Sequence, residues 1–230
     1  MVIGAYGKRS NLDQVLKRPF FTKRSPYIGV KYHAHTDHPI DQIALHNFSG
    51  GYCGISQVED GITNICYLGS RETLRKHGNI TNMEANVLHR NPHLKRIFSS
   101  ADFLWDKPEV INEISFEIKQ PVDNHMLMCG DAAGMITPLC GNGMAMAIHS
   151  AKLLSETIQE AQAKNWSRDL LEDAYALRWS MLFKQRLWFG RQVQRLFGQP
   201  TVSNLAVNLI NHVKPLSRAI IKGTHGEVIE

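Results

Sequence analysis

The sequence has few cysteines, and none in C-x-x-C spacing: Cys53, Cys66, Cys129 and Cys140 are its four. Such scattered thiols suit a reduced, buried state, so a cytoplasmic location is expected. No apolar run is long enough to cross a bilayer, and no basic region followed by a long apolar stretch opens the chain. Neither a transmembrane helix nor a signal peptide is therefore expected. The formal charge is +5, but lysine and arginine are scattered without any block of like charge, which argues against a nucleic-acid partner. Internal repeats and low-complexity segments are lacking as well.

What is present is a chain of 230 residues, 43% apolar, with enough to bury a sizeable core in one domain or two small ones. Its organising stretch runs Met126-Leu127-Met128-Cys129-Gly130-Asp131-Ala132-Ala133-Gly134 through Thr137-Pro138 to Gly141-Asn142-Gly143-Met144. A short apolar strand stops at Gly-Asp, passes through a glycine-rich loop and opens into a helix of small residues. Glycines at 130, 134, 141 and 143 let the backbone approach an anionic or dipolar ligand, and the helix presents its unpaired N–H groups.

The opening Met1-Val2-Ile3-Gly4-Ala5-Tyr6-Gly7 reads as a buried strand ended by a glycine turn, followed by a short helix carrying Leu12, Val15 and Leu16. Two-residue periodicity then predicts strands over 27–35, 40–48, 51–58 and 62–69, an antiparallel meander. In the first of them Ile28, Val30, Tyr32 and Ala34 share one face, and Lys31, His33 and His35 share the other. Residues 70–98 read as helical, with Leu74, Leu88, Leu94 and Ile97 as core points and a break at Asn91-Pro92. Val110, Ile111, Ile114, Phe116 and Ile118 predict one more long strand. Helices are expected from Gly143 to about Ala163 and from about Ser167, a good N-cap, to Phe189. A third helix over about 201–213 would end before Pro215, with a frayed Gly-Thr-His-Gly tail.

The pattern Gly130-Asp131-Ala132-Ala133 … Pro138 … Gly141-x-Gly143 … Ala147 resembles the second FAD motif of the class A flavoprotein monooxygenase and geranylgeranyl-reductase superfamily. Val2-Ile3-Gly4-Ala5-Tyr6-Gly7-Lys8-Arg9-Ser10 is similar to the family's middle motif, with Tyr6 where the family has Asp. Phe48-Ser49-Gly50-Gly51-Tyr52-Cys53-Gly54 and Asp60-Gly61-Ile62-Thr63-Asn64-Ile65 loosely resemble a glycine pair of the reductases, whose intervening aromatic-proline element is replaced here by Ile55-Ser56-Gln57-Val58. The family's G-x-G-x-x-G fingerprint is absent.

The resemblance implies an α/β (α+β) fold: an incomplete FAD-binding Rossmann-like domain, an antiparallel β substrate-domain sheet and carboxy-terminal helices. Its divisions would be 1–25 and 121–165 for the FAD-binding parts, 26–120 for the sheet and 166–230 for the helical region. It implies FAD as cofactor, with Gly130 and Asp131 at the ribityl chain, Pro138 beside the ring, Gly141, Asn142 and Gly143 at the ring's N1–C2 edge, and Ala132 and Met144 as further cofactor-binding residues. The activity implied is that of an oxidoreductase, hydroxylating or alkene-reducing, acting on an apolar, lipid-like small molecule with NAD(P)H or another electron donor. The alternative is a truncated, non-catalytic binding module that keeps the fold without holding FAD.

Other features have simpler readings. His33, His35 and His38 lack a neighbouring cysteine or carboxylate cluster, so a solvated strand face is favoured over a metal site. Cys53 and Cys140 are read as packing residues rather than redox thiols. The aromatic and basic residues from Trp179 to Phe197 are read as core packing with a solvated basic side, leaving peripheral lipid contact as the other reading.

Overall fold

Apolar periodicity accounts for most of the elements in the computed structural model, which describes residues 1–196, 203, 205, 208–209 and 212–225. In chain order they begin with β1 (Val2–Gly4), α1 (Asn11–Val15), α2 (Pro19–Thr22), β2 (Tyr27–His35), β3 (Ile43–Phe48), β4 (Gly51–Gln57) and β5 (Ile62–Ser70). Next come α3 (Arg71–His77), α4 (Ile80–Asn86), α5 (Pro92–Ser100), β6 (Asp102–Phe103), β7 (Glu109–Ile111), β8 (Val122–Asp123) and β9 (Met126–Met128). Then follow α6 (Gly143–Ala163), α7 (Arg168–Trp179) and α8 (Gln185–Leu196), and a further helix spans Lys214–His225. The chain divides into two units: Met1–Arg24, Ser115–Gln194 and Ile210–Glu230 in one, Ser25–Ile114 and Arg195–Leu209 in the other.

The second unit is the meander. Its sheet has the order β3-β4-β5-β2-β6, with β7 also paired to β2. Ile28, Val30 and Ala34 are buried on the face predicted for them, together with Phe48, Ile55, Ile65, Tyr67, Met83, Leu88 and Leu94. Leu74 and Ile97 pack at the margin of this core. Asn91 caps α5, its side chain accepting from His93 N, with Pro92 in the first turn where its missing N–H costs nothing. Within this core the Glu84 carboxylate accepts hydrogen bonds from Tyr32 and Tyr67, each at 2.8 Å. Burial pushes the Glu84 carboxyl up, and the two phenols act against that rise.

In the first unit the small sheet has the order β1-β9-β8. Its core combines Leu127, Met128, Ala133, Ile136 and Met146 with Leu153, Leu154, Tyr175, Trp179, Phe183 and Leu187 from the helices.

Five expectations are corrected. The opening strand is an edge strand rather than a buried one: Val2 and Ile3 are 54% and 47% exposed. The short helix α1 turns Leu12 and Val15 outward and buries Asp13 instead. The long strand over 110–118 stops at Ile111, because Glu113 takes a positive φ of 55° and turns the chain out of the ladder. There its carboxylate accepts from Ser25 N and Arg71 Nη2. The second carboxy-terminal helix is interrupted by a wide turn at Ser180–Lys184, which resets the register so that Phe183 is buried while Leu182 is exposed. Most of 201–213 lies outside the described residues; Pro215 sits in the first turn of the helix that follows, and Gly223 to His225 are helical rather than frayed.

The Tyr67→Phe variant is expected to lower the unfolding free energy in urea by about 1.5–3 kcal/mol, because it deprives a buried carboxylate of a donor. Changing the exposed Ile43 to Ala is expected to shift it by no more than about 0.5 kcal/mol.

Candidate functional site

β1 and β9 run parallel, with Gly4 opposite Met128, and Cys129 N donates to Gly4 O at 2.9 Å. Two loops therefore leave the sheet side by side at the carboxyl ends of adjacent parallel strands, Ala5–Gly7 from one and Gly130 onward from the other. Crevices of this kind are where open sheets with parallel strands take ligands.

The local backbone follows from residue type. Gly130 has a φ of 59°, and a Cβ there would lie 3.4 Å from the Ala147 Cβ, so glycine allows both the turn and the close passage of α6. Ser150 of α6 accepts from Gly130 N at 3.2 Å, and Tyr175 of α7 donates to Met128 O at 2.6 Å. Gly134 has a different duty from the ligand approach expected of it. A Cβ there would meet Leu187 at 2.8 Å and Trp179 at 3.1 Å, so it serves helix packing. Gly141 takes a φ of 68° after the turn Pro138–Cys140, and α6 then starts with Asn142 as N-cap and no side-chain cap bond.

These loops enclose a cleft of about 640 Å³. Ala5 and Gly7 line it from the β1 loop, Cys129, Gly130 and Asp131 from the end of β9, Met135 to Pro138 from the following loop, and Gly143, Met144, Ala147, Ile148 and Ala151 from α6. A Cβ on Gly7 would meet nothing within 4 Å, and one on Gly143 only Ile136 at 3.9 Å, so both glycines leave space that no protein atom fills. Among the described residues the Asp131 carboxylate accepts no hydrogen bond. Burial raises its carboxyl above the usual range, opposed by the nearby Lys119 ammonium. An acceptor-only carboxylate, a helix N-terminus without a side-chain cap bond and an otherwise apolar wall suit a ligand with hydrogen-bond donors at one end and an acceptor or anionic group at the other.

Of the eight residues expected at the site, Gly130, Asp131, Pro138, Gly143 and Met144 line this cleft. Ala132 lies buried behind it, and neither Gly141, which is exposed, nor Asn142, which is buried, lines it. Cys140 is also off the cleft, buried 3.4 Å from Thr137 Oγ1, with its thiol pushed up by burial. Tyr6, standing where the family has Asp, turns its hydroxyl inward and donates to Asp13 at 2.7 Å.

Three residues behind the cleft escape sequence reasoning. Arg18 donates to Asp13, Tyr6 and the Ala132 carbonyl through Nη1, to the Gln120 carbonyl through Nη2, and pairs with Asp123 through Nε. Lys119 donates to the carbonyls of Lys8 and Asp131, both at 2.8 Å. Asp13 had a readable signal in the Ser10-x-x-Asp13 capping box, which the structure contains. Arg18 and Lys119 had none, because each is held by a backbone carbonyl more than a hundred residues away in sequence, and nothing in residue type announces such a partner.

Compared with known proteins, residues 86–182 match the squalene epoxidase family. Conditioned medium factor receptor 1 of Dictyostelium discoideum is 25% identical over 170 residues, covering 70% of this chain and 31% of that protein. The flavin-dependent brominase Bmp2 superposes with a TM-score of 0.72 at 16% identity, over 97% of this chain and 57% of its own. A geranylgeranyl bacteriochlorophyll reductase-like protein from Thermoplasma acidophilum does so with a TM-score of 0.66 at 19% identity, over 89% of this chain and 53% of its own. The chain thus spans about half the length of these structural relatives and under a third of the curated one. Its fold is that of the FAD-dependent monooxygenases and the halogenases and geranylgeranyl-reductase-like proteins that share it.

Proposed function

We propose that this chain supplies the ribityl and ring half of an FAD site in an oxidoreductase of monooxygenase or reductase type. The observation that carries the reading is the Asp131 carboxylate, unclaimed by any described donor and facing the same cleft as the uncapped start of α6. Asp131 would accept from ribityl hydroxyls. The first N–H groups of α6 would face the edge of the ring that gains negative charge on reduction, with the helix dipole acting in the same sense. Met144, Ile148 and Ala151 give that wall an apolar character. FAD, when bound, supplies hydride and oxygen chemistry, and the protein's part is binding, orientation and electrostatics.

The substrate we infer is apolar and lipid-like, with NAD(P)H or another donor supplying electrons. Leu177, Met181 and Trp188 are exposed on the carboxy-terminal helices, which supports peripheral contact with lipid. No helix among the described residues is long and apolar enough to cross a membrane. The second reading is a binding module that keeps the fold without stable FAD.

Gel filtration with excess FAD, followed by visible absorbance, separates the two. Retained yellow colour is expected for the wild type, and Asp131→Ala is expected to weaken binding by about 1–3 kcal/mol, the cost of losing a hydrogen bond to a part-buried charged group. Equal retention by both proteins would remove Asp131 from the site, and a colourless wild type would favour the binding module.

Gly143→Val tests the cleft separately. Its side chain would enter unfilled space, so the unfolding free energy should move by no more than about 0.5 kcal/mol while FAD binding is lost.

A further inference from the structure

Lys119 stands at an unusual place for an ammonium. It is 4% exposed, and both of its hydrogen bonds go to backbone carbonyls instead of to a carboxylate. One carbonyl belongs to Lys8, next to Gly7 on the β1 side of the cleft; the other belongs to Asp131 on the β9 side. The Phe20 ring lies beneath it, 4.3 Å from Nζ to the centroid. Arg18, 2% exposed, makes a parallel connection by binding the next carbonyl, that of Ala132, together with the Tyr6 hydroxyl.

Burying a charge without a bonded countercharge is costly, and an apolar side chain of similar length would fill the volume without that cost. What an apolar side chain cannot do is hold two carbonyls from two separate loops. We propose that Lys119 is a positioning residue for this cleft: it ties the loop after β1 to the Gly130-Asp131-Ala132 turn and so fixes the width of the cleft and the aim of the Asp131 side chain. The proposal rests on the flavin reading only for the identity of the ligand. A ligand-facing carboxylate held by its own main chain from behind is an instance of a site preorganised by its supporting residues.

The charged groups facing Lys119 are Asp13 and Arg18 from α1 and the segment after it, Arg9 from the β1 loop and Asp131 from the turn. Burial dominates among their effects and lowers the amine to about 8, against 10.5 for an ordinary lysine. Between those pH values the unfolded chain holds a proton that the folded chain has released, so this group makes the fold more stable as pH rises across the window. The neutral amine keeps two N–H donors and can still reach both carbonyls.

The test is amide hydrogen exchange on the flavin-free protein, comparing wild type with Lys119→Met and Lys119→Arg. Lys119→Met should exchange faster at residues 5–9 and 130–132 and unchanged elsewhere in the same unit, and Lys119→Arg should recover most of the protection. FAD affinity should fall about tenfold or more in Lys119→Met and be largely restored in Lys119→Arg. The difference in unfolding free energy between wild type and Lys119→Met should also move in favour of wild type from pH 8 to 10.5. If Lys119→Met does not fold, Lys119→Gln, shorter and able to reach one carbonyl at most, should show the same local loosening to a lesser degree. Unchanged exchange in both segments, or a uniform rise across the whole unit that Lys119→Arg does not reverse, would overturn the proposal. Local loosening in Lys119→Met, with a wild type that binds no FAD, would uphold the tie and reject the flavin reading.

Discussion

The geometry of the cleft depends on three residues of parallel pairing, Val2 to Gly4 against Met126 to Met128. This short ladder joins parts of the chain more than a hundred residues apart and sets the two cleft-lining loops beside each other. Its energy is small, and β1 is an edge strand whose Val2 and Ile3 are largely exposed. The arrangement therefore needs reinforcement, and it has two sources. One is the apolar core beneath β9, where Tyr175, Trp179, Phe183 and Leu187 pack against the turn and its loop. The other is polar: Arg18, Lys119, Asp13 and Tyr6 bind main-chain and side-chain groups on both sides.

Division of labour among the glycines follows from the same packing. Gly130 and Gly134 are small because α6, Trp179 and Leu187 come close to them; a Cβ on Gly7 would meet nothing within 4 Å and one on Gly143 only Ile136 at 3.9 Å. A segment that looks uniformly glycine-rich in sequence thus contains two kinds of glycine. Where the second kind also lines the cleft, as Gly7 and Gly143 do and Gly141 does not, the backbone is open to it. In the meander unit, by contrast, the buried Glu84 carboxylate is satisfied internally by Tyr32 and Tyr67.

The meander was legible in the sequence because its strands alternate cleanly, and β2 spans the predicted 27–35. Helix α6 was legible through its small-residue run and begins at the predicted Gly143. Legibility failed where a single residue overrode the pattern: Glu113 left the ladder for Ser25 and Arg71, although Ile114 and Phe116 keep the alternation and remain buried. It failed again at Ser180–Lys184, because an extra residue in a helical turn leaves no mark in composition. At the site, the cleft-lining residues lay in the motif that the sequence singled out. The residues that hold it did not, since a lysine bonded to two distant carbonyls looks in sequence like any lysine between apolar neighbours.

The most direct measure of the central claim is a map of backbone amide chemical shifts of the chain on titration with FAD. The account predicts that the largest changes fall at Gly7, Asp131 and Gly143 to Ala145, the two loops and the helix start that bound the cleft. Changes confined to the meander unit, or none at saturating FAD, would contradict it.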